Sequence, residues 1–122
     1  MHSPSFCYKE IKIMNLKGKP FYLDDSAVEW VNKTLEKLTE DEKIGQSFFP
    51  IGFSNEKEYL NHLIDLGIGG LFFRPGEAKE VQQAYEYMQR NSKVPLLTAA
   101  NLEDGGNGAS VEGTAFGNQM AV

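Results

Sequence analysis

Three short apolar runs, separated by segments of helical periodicity, constrain the fold of this 122-residue chain more than any other feature. The runs are "SFFPIGF", "IGGLFF" and "VPLLTAAN", and the first predicts a strand over residues 47–51 with Pro50 near its end. The strand centres lie about 22 to 26 residues apart, with one helix between each pair. This is the spacing of βαβ units joined by right-handed crossovers. The sequence therefore predicts an α/β fold with a parallel sheet.

Four helices are predicted from apolar residues at helical spacing and from capping residues. "SAVEWVNKTLEKL" predicts a first helix with Ser26 as its N-cap, and Thr39 with Glu42 forms a capping box that begins a second. "NEKEYLNHLIDLG" predicts a third helix, with Ser54 at its N-cap and Gly67 as the left-handed residue at its end. "EAKEVQQAYEYMQR" predicts a fourth between the second and third strands.

Charge and composition exclude several classes of function. A net charge of -5, with scattered basic residues, argues against a surface for nucleic acid or an anionic membrane. No apolar run approaches the roughly 20 residues that span a bilayer, and the first residues lack the apolar segment of a signal peptide, so we expect a cytoplasmic protein. Cys7 is interpreted as an ordinary thiol, and Cys7, His2 and His62 do not have zinc-ligand spacing.

The segment after the third apolar run is the candidate functional region. Ligands of parallel α/β sheets bind at the carboxyl ends of the strands, and residues 101–117 form a polar loop there, longer than the usual 2–6 residues. Four of its side chains can exchange hydrogen bonds with a polyhydroxylated ligand: Asn101, Glu103, Asp104 and Asn107. The alternative is that its glycines and asparagines only supply left-handed turn conformations.

Phosphate-binding motifs do not fit this loop. Gly108 and Gly113 have the spacing of a phosphate-cradling loop, but Thr114 occupies the position of the required lysine. A dinucleotide fingerprint belongs to the first turn between strand and helix, which here is "IGFSNE" with a single glycine.

A calcium loop fits only in part. Four residues fall at positions one, three, six and twelve of an EF-hand count: Asn101, Glu103, Gly106 and Glu112. Gly105 leaves position five without a side-chain oxygen, and the preceding segment is a predicted strand instead of a helix. We therefore expect neither a metal nor another cofactor.

Three motifs in order resemble the amino-terminal barrel domain of family 3 glycoside hydrolases, particularly the bacterial β-N-acetylhexosaminidase-like branch. They are "LTEDEKIGQSFFPIGF", "LIDLGIGGLFFRP" and "VPLLTAANLEDGGNGASVEGTAFGNQMAV", and the match runs from about Trp30 to the last residue. The resemblance implies a (β/α)8 TIM-type barrel, of which this chain carries the first three βα units. Residues 1–25 would then be an amino-terminal extension and residues 26–122 a partial barrel domain.

The resemblance also implies a sugar subsite at the carboxyl-end rim. Asn101 stands where the family has an aspartate that hydrogen-bonds the hydroxyls of the non-reducing sugar, and Asp104 replaces a glycine. An amide loses the charge-assisted bond of that aspartate. Asn101 and Glu103 are the predicted main contacts, and Asp104 and Asn107 are further candidates.

Family members are retaining enzymes whose nucleophile is an aspartate on a much later strand of the barrel. In the hexosaminidase branch the acid/base group is a His-Asp pair on a later loop, and both would lie beyond Val122. The chain is thus expected to contain no catalytic residue and to be inactive alone. It would be the amino-terminal fragment of an exo-acting β-N-acetylglucosaminidase or β-glucosidase, with a carbohydrate substrate. The rest of the barrel, in the same or a separate chain, or self-association would complete it. The alternative is a non-catalytic binding or assembly module that pairs its exposed sheet edges with another chain.

Overall fold

The computed structural model describes residues 14–74, 76–117 and 120. By internal contacts the chain divides after Glu36 into two compact units, residues 1–36 and residues 37–122. The boundary predicted between residues 25 and 26 stays a prediction. Cys7 and His2 lie outside the described residues.

The helix of the first unit begins earlier than its predicted N-cap implies. Helix α1 spans Asp25–Lys37, and Asp24 Oδ1 accepts hydrogen bonds from Ala27 N and from Ser26 Oγ, both at 2.8 Å. Ser26 therefore lies inside the first turn, and its prediction as N-cap is wrong, because the carboxylate of Asp24 already serves the free amide of that turn. The bonds from Ala27 N and Ser26 Oγ hold the pKa of Asp24 below its ordinary value.

Helix α2 spans Glu40–Gly45 and confirms the predicted capping box. Thr39 Oγ1 accepts from Glu42 N at 3.2 Å, and Glu42 Oε2 accepts from Thr39 N at 2.9 Å. The helix ends in direct backbone contact with the segment before the second strand, since a Cβ at Gly45 would overlap Leu66 O. The amide of Gln46 adds a bond of 2.8 Å from its Nε2 to Gly67 O.

The predicted parallel sheet is confirmed. Its strands are β1 (Ile51–Gly52), β2 (Gly70–Phe73) and β3 (Leu97–Ala99), in the order β1-β2-β3. The first strand lies later than the predicted residues 47–51. Ser47 N and Phe48 N donate to Ile44 O and Gly45 O in the turn after α2, and Pro50 has no N–H to donate. The backbone bonds between this segment and the β2 side therefore use its carbonyl groups as acceptors, from Gly69 N to Phe48 O and from Phe72 N to Pro50 O.

Two helices connect the strands as predicted, but one cap differs. Helix α3 spans Lys57–Asp65 and helix α4 spans Ala78–Asn91. Glu56 is the N-cap of α3, while Ser54 Oγ accepts from Glu56 N at 3.1 Å and makes a turn ahead of the helix, so the prediction of Ser54 is wrong. Gly67 has a φ of 65°, as predicted for the residue that ends the helix.

The core lies between one face of the sheet and helices α3 and α4. Its buried residues are Leu60, Leu63, Ile68, Leu71, Phe73, Ala84, Met88 and Leu96. Tyr85 links α4 to the carboxyl ends of two strands, because its hydroxyl accepts from Phe73 N and donates to Ala99 O, each at 3.1 Å. At the amino end of β3, the amide of Gln89 bonds both backbone groups of Leu96. These side chains fix where the strands begin and end.

The opposite face of the sheet is also apolar. Ile51, Phe72 and Ala99 are partners in register on this face, and Leu97 lies beside Gly70 in the next row. Leu97 is 69% exposed and Ile51 36%, so these side chains are not part of the core of the described residues. A parallel sheet with helices on one face and an apolar second face is consistent with part of a barrel.

Replacing Leu71 and Leu97 tests which face of the sheet is packed. Leu71→Ala should lower the free energy of unfolding by about 2–5 kcal/mol, because a fully buried side chain leaves a cavity. Leu97→Ala is the matched control and should change it by no more than about 0.5 kcal/mol. Urea unfolding gives both values. An equal loss in Leu97→Ala would show that the second face is covered in solution.

Glu42 should make the stability of the second unit depend on pH. A side-chain bond from Lys93 and a backbone bond from Thr39 hold the pKa of Glu42 below its ordinary value. Its ionised form then stabilises the fold above the unfolded-state pKa, and this contribution is lost as the pH falls through the lower folded-state value. The stability difference between wild type and Glu42→Gln should shrink with falling pH in acid-range unfolding titrations. Glu40→Gln, at an exposed pair with Lys43, is the control, and a pH-independent difference for Glu42→Gln would contradict the prediction.

Candidate functional site

The loop after β3 is a compact structure closed by its own backbone. Phe116 N donates to Asp104 O at 2.6 Å, Gly105 and Ala115 form an isolated antiparallel bridge, and Gly106–Gly108 makes one 3-10 turn. In the described part of this loop a positive φ occurs only at Gly105, at 109°. The left-handed turn alternative therefore accounts for Gly105 and not for the asparagines.

The loop is fastened to the beginning of α4. Glu112 Oε2 accepts from Ala78 N at 2.6 Å, and Val111 N donates to Gly76 O at 2.9 Å. Glu112 thus serves a free amide in the first turn of the helix, a role that its EF-hand position did not suggest. Within the described residues, no group of three or more His, Cys, Asp or Glu side chains could hold a metal ion.

All four side chains predicted to bind substrate line one cavity at the carboxyl ends of β2 and β3. The cavity has a volume of about 290 Å³. Its lining residues are Phe72, Arg74, Asn101, Glu103, Asp104, Asn107 and Gly108. Gly108 packs against the strand end, since a Cβ there would overlap Asn101 O. The fold therefore brings together residues that are up to seven positions apart in one loop and adds two from β2 and its end.

The polar groups of this cavity are largely unpaired. Asn101 Oδ1 accepts from Glu103 N at 3.4 Å, which leaves the two N–H groups of Asn101 without a partner among the described residues. Asn107 Oδ1 is shielded from solvent and has no hydrogen-bond donor there either. The carboxylates of Glu103 and Asp104 form no ion pair with any described cation. The cavity thus offers both donors and acceptors to a ligand.

Arg74 is the charged lining residue that the sequence prediction did not include. It follows the last residue of β2, its N–H donates to Gly52 O at 3.0 Å, and its Cζ lies 6.0 Å from the centre of the Phe53 ring. Its guanidinium makes no ion pair within residues 14–74, 76–117 and 120. The available signal was its position: it opens the "RPGE" loop at the carboxyl end of a predicted strand.

Two further features lie outside the candidate cavity: the side chain of His62 and the character of the helices. His62 is exposed on α3 and does not line the cavity. In the part of the chain that the structure describes, no helix is both long enough and apolar enough to cross a membrane.

Removing Glu112 should loosen the loop and the start of α4. Glu112→Ala leaves Ala78 N unpaired, and we expect a loss of roughly 0.5–2 kcal/mol of unfolding free energy. The amide of Val111 should exchange with deuterium faster. Glu77→Ala is the matched control, because Glu77 is the N-cap of α4 yet makes no side-chain capping bond. Equal exchange in both variants would show that the loop is held by other contacts.

Known proteins similar to this chain are sugar-active enzymes several times its length. No family model matches the chain. A β-N-acetylglucosaminidase/β-glucosidase of Cellulomonas fimi is 38% identical over 111 residues, which cover 90% of this chain and 20% of that protein. The match to this relative thus covers most of the chain, while the chain spans about a fifth of the relative's length.

Two solved structures share the arrangement of strands and helices. The β-glucoside phosphorylase BglX bound to 2FGlc matches with a TM-score of 0.67 and 35% identity, over 82% of this chain and 19% of that one. Another structure of the β-glucoside phosphorylase BglX matches with a TM-score of 0.64 and 38% identity, over 82% of this chain and 18% of that one. The chain is therefore similar, in sequence and in fold, to one part of each enzyme.

Proposed function

We propose that this chain is the first part of the amino-terminal barrel of a family 3 glycoside hydrolase, with residues 26–122 in the barrel domain. The three motifs of the resemblance, 38% identity over 90% of the chain and the parallel sheet support this assignment. The apolar face with Ile51, Phe72 and Leu97 is the expected interior of such a barrel, where side chains of alternate strands pack in layers. The remaining strands would cover it.

The cavity with Asn101, Glu103, Asp104 and Asn107 is the proposed sugar subsite. The observation that carries this proposal is that these side chains, chosen from the sequence, line one cavity with unpaired donors and acceptors. Each sugar hydroxyl donates one hydrogen bond and accepts others, so a glycoside can use both kinds of group. By the names of the relatives, the substrate is a β-N-acetylglucosaminide or a β-glucoside.

The reaction would be retaining, with its two catalytic groups supplied by later segments of the barrel. Glu112 is engaged with Ala78 N, and Glu103 and Asp104 are assigned to the sugar alone. The chain binds and orients the substrate in this proposal, and it has no turnover without the missing segments.

A second candidate concerns the group that accepts the sugar. Two similar structures are both named as the β-glucoside phosphorylase BglX, so in this second candidate the completed enzyme transfers the sugar to phosphate in place of water. The acceptor is distinguished by its product, a sugar phosphate or a free sugar.

The alternative function is a non-catalytic binding or assembly module that pairs its exposed sheet edges, strands β1 and β3, with another chain. The exposure of Leu97 favours it, because such an assembly would also cover the second face of the sheet. The Leu97→Ala unfolding measurement separates it from a chain whose second sheet face stays free.

Activity measurements test the proposed function. Chromogenic β-N-acetylglucosaminide and β-glucoside should show no turnover with the chain alone and measurable turnover once the missing segments are added, with the product analysed in the presence and absence of phosphate. In the completed enzyme, Asn101→Ala should raise KM because it removes two N–H donors, and Asn101→Asp tests the carboxylate of the family pattern. Turnover by the chain alone would contradict the absence of catalytic groups, and unchanged KM and kcat in Asn101→Ala would remove Asn101 from the site.

A further inference from the structure

We propose that Arg74 determines specificity in this cavity by donating hydrogen bonds to the hydroxyl oxygens of a neutral sugar, and that Phe53 holds its guanidinium in place. The inference rests on the proposed sugar subsite. It adds a residue to which the resemblance assigns no role.

The register of the sheet places Arg74 beside the predicted contact residue. Ile51, Phe72 and Ala99 are partners across β1, β2 and β3. Because side chains alternate along a strand, the next row on the same face, two residues later, contains Phe53, Arg74 and Asn101. Arg74 and Asn101 both line the cavity, which agrees with this placement.

The contact with Phe53 leaves the donors of Arg74 free. Phe53 is 69% exposed, and Arg74 Cζ lies 6.0 Å from the centre of its ring. A guanidinium over an aromatic ring is held through its planar face, and its five N–H groups point outward in that plane. The ring can thus fix the orientation of Arg74 without using a donor.

The unpaired groups of the cavity favour a neutral hydroxyl-rich ligand over an anion. Arg74 and the amide of Asn101 offer donors, while Glu103, Asp104 and Asn107 Oδ1 offer acceptors. A hydroxyl group satisfies both kinds because it donates and accepts. A fully ionised phosphate or a carboxylate ligand only accepts hydrogen bonds. The two carboxylates of the cavity, Glu103 and Asp104, against the single guanidinium of Arg74 would repel such an anion.

Titration of the isotope-labelled 122-residue chain tests the inference. The probes are methyl β-glucoside, methyl β-N-acetylglucosaminide, glucuronate and inorganic phosphate, and the shifts of the backbone amides of residues 101–108 give each Kd. We expect the neutral glycosides to bind best, and Arg74→Gln should raise their Kd roughly tenfold, the effect of losing one charged hydrogen bond. Arg74→Lys should lose less, because it keeps the charge without the planar fork.

The matched control is Arg90→Gln. Arg90 is the other arginine of the chain and pairs with Glu86 near the end of α4. The Kd of the Arg90→Gln variant for the glycosides should equal that of the wild type. Phe53→Leu keeps an apolar side chain without the ring and should raise Kd about threefold. If Phe53 acts through Arg74, this effect disappears in the Arg74→Gln background, whereas a purely structural role for Phe53 would keep it.

Each of the other possible results contradicts a specific part of the proposal. No shift with any glycoside in the wild type overturns both the sugar subsite and the role of Arg74. If Asn101→Ala weakens glycoside binding but Arg74→Gln leaves it unchanged, the role of Arg74 is overturned and the sugar subsite stands. Phosphate or glucuronate binding that exceeds glycoside binding and requires Arg74 overturns the neutral-sugar assignment. If Arg74→Gln loses the dispersed amide spectrum of the fold, Arg74→Lys and Phe53→Leu decide the question.

Discussion

The hydrogen-bonded register of β2 with its two neighbours is the constraint on which the rest of the second unit depends. Phe72 pairs with Ile51 on one side and with Ala99 on the other, so all three strands run parallel and end at the same edge. Because side chains alternate along the strand, the two faces of β2 have different surroundings. Leu71 and Phe73 face α3 and α4 in the core, while Phe72 faces the cavity side. A shift of one residue would exchange these faces and dismantle core and cavity together.

Side-chain amides and close backbone contacts fix that register at the amino ends of the strands. Gln46 bonds Gly67 O just before β2, and Gln89 bonds both backbone groups of Leu96 just before β3. Gly69 contacts Gln46 O so closely that a Cβ would overlap it. These contacts join residues that are distant in sequence, and they leave the carboxyl ends free to carry the variable loops. The contacts that fix the register and the candidate cavity therefore lie at opposite ends of the sheet, and the carboxyl end is where parallel α/β folds bind their ligands.

Periodicity was sufficient to predict the parallel α/β arrangement, and local chemistry was sufficient for the Thr39–Glu42 capping box and the left-handed Gly67. Both signals lie within a few residues of the feature they specify. The predictions that were wrong concern a helix cap and a strand boundary, each of which is determined by a residue other than the one that was chosen. Asp24 takes the cap expected of Ser26, and the missing N–H of Pro50 shortens the first strand. The contact of Glu112 with Ala78 spans 34 residues and has no local signature.

The candidate cavity shows the same division between local and non-local information. Four of its residues could be chosen from one loop, whereas Arg74 follows the end of β2, and only the register of the sheet places it beside Asn101. The register also bears on the departure from the pattern that this chain resembles. That pattern has an aspartate at the position of Asn101 and a glycine at that of Asp104, so one carboxylate is lost and another gained three residues later. Since both positions line the same cavity, the lining keeps two carboxylates, from Glu103 and Asp104, against one guanidinium. The amide of Asn101 then adds hydrogen-bond donors next to Arg74 without adding charge. Compared with the family pattern, the lining favours ligands whose uncharged oxygens accept hydrogen bonds.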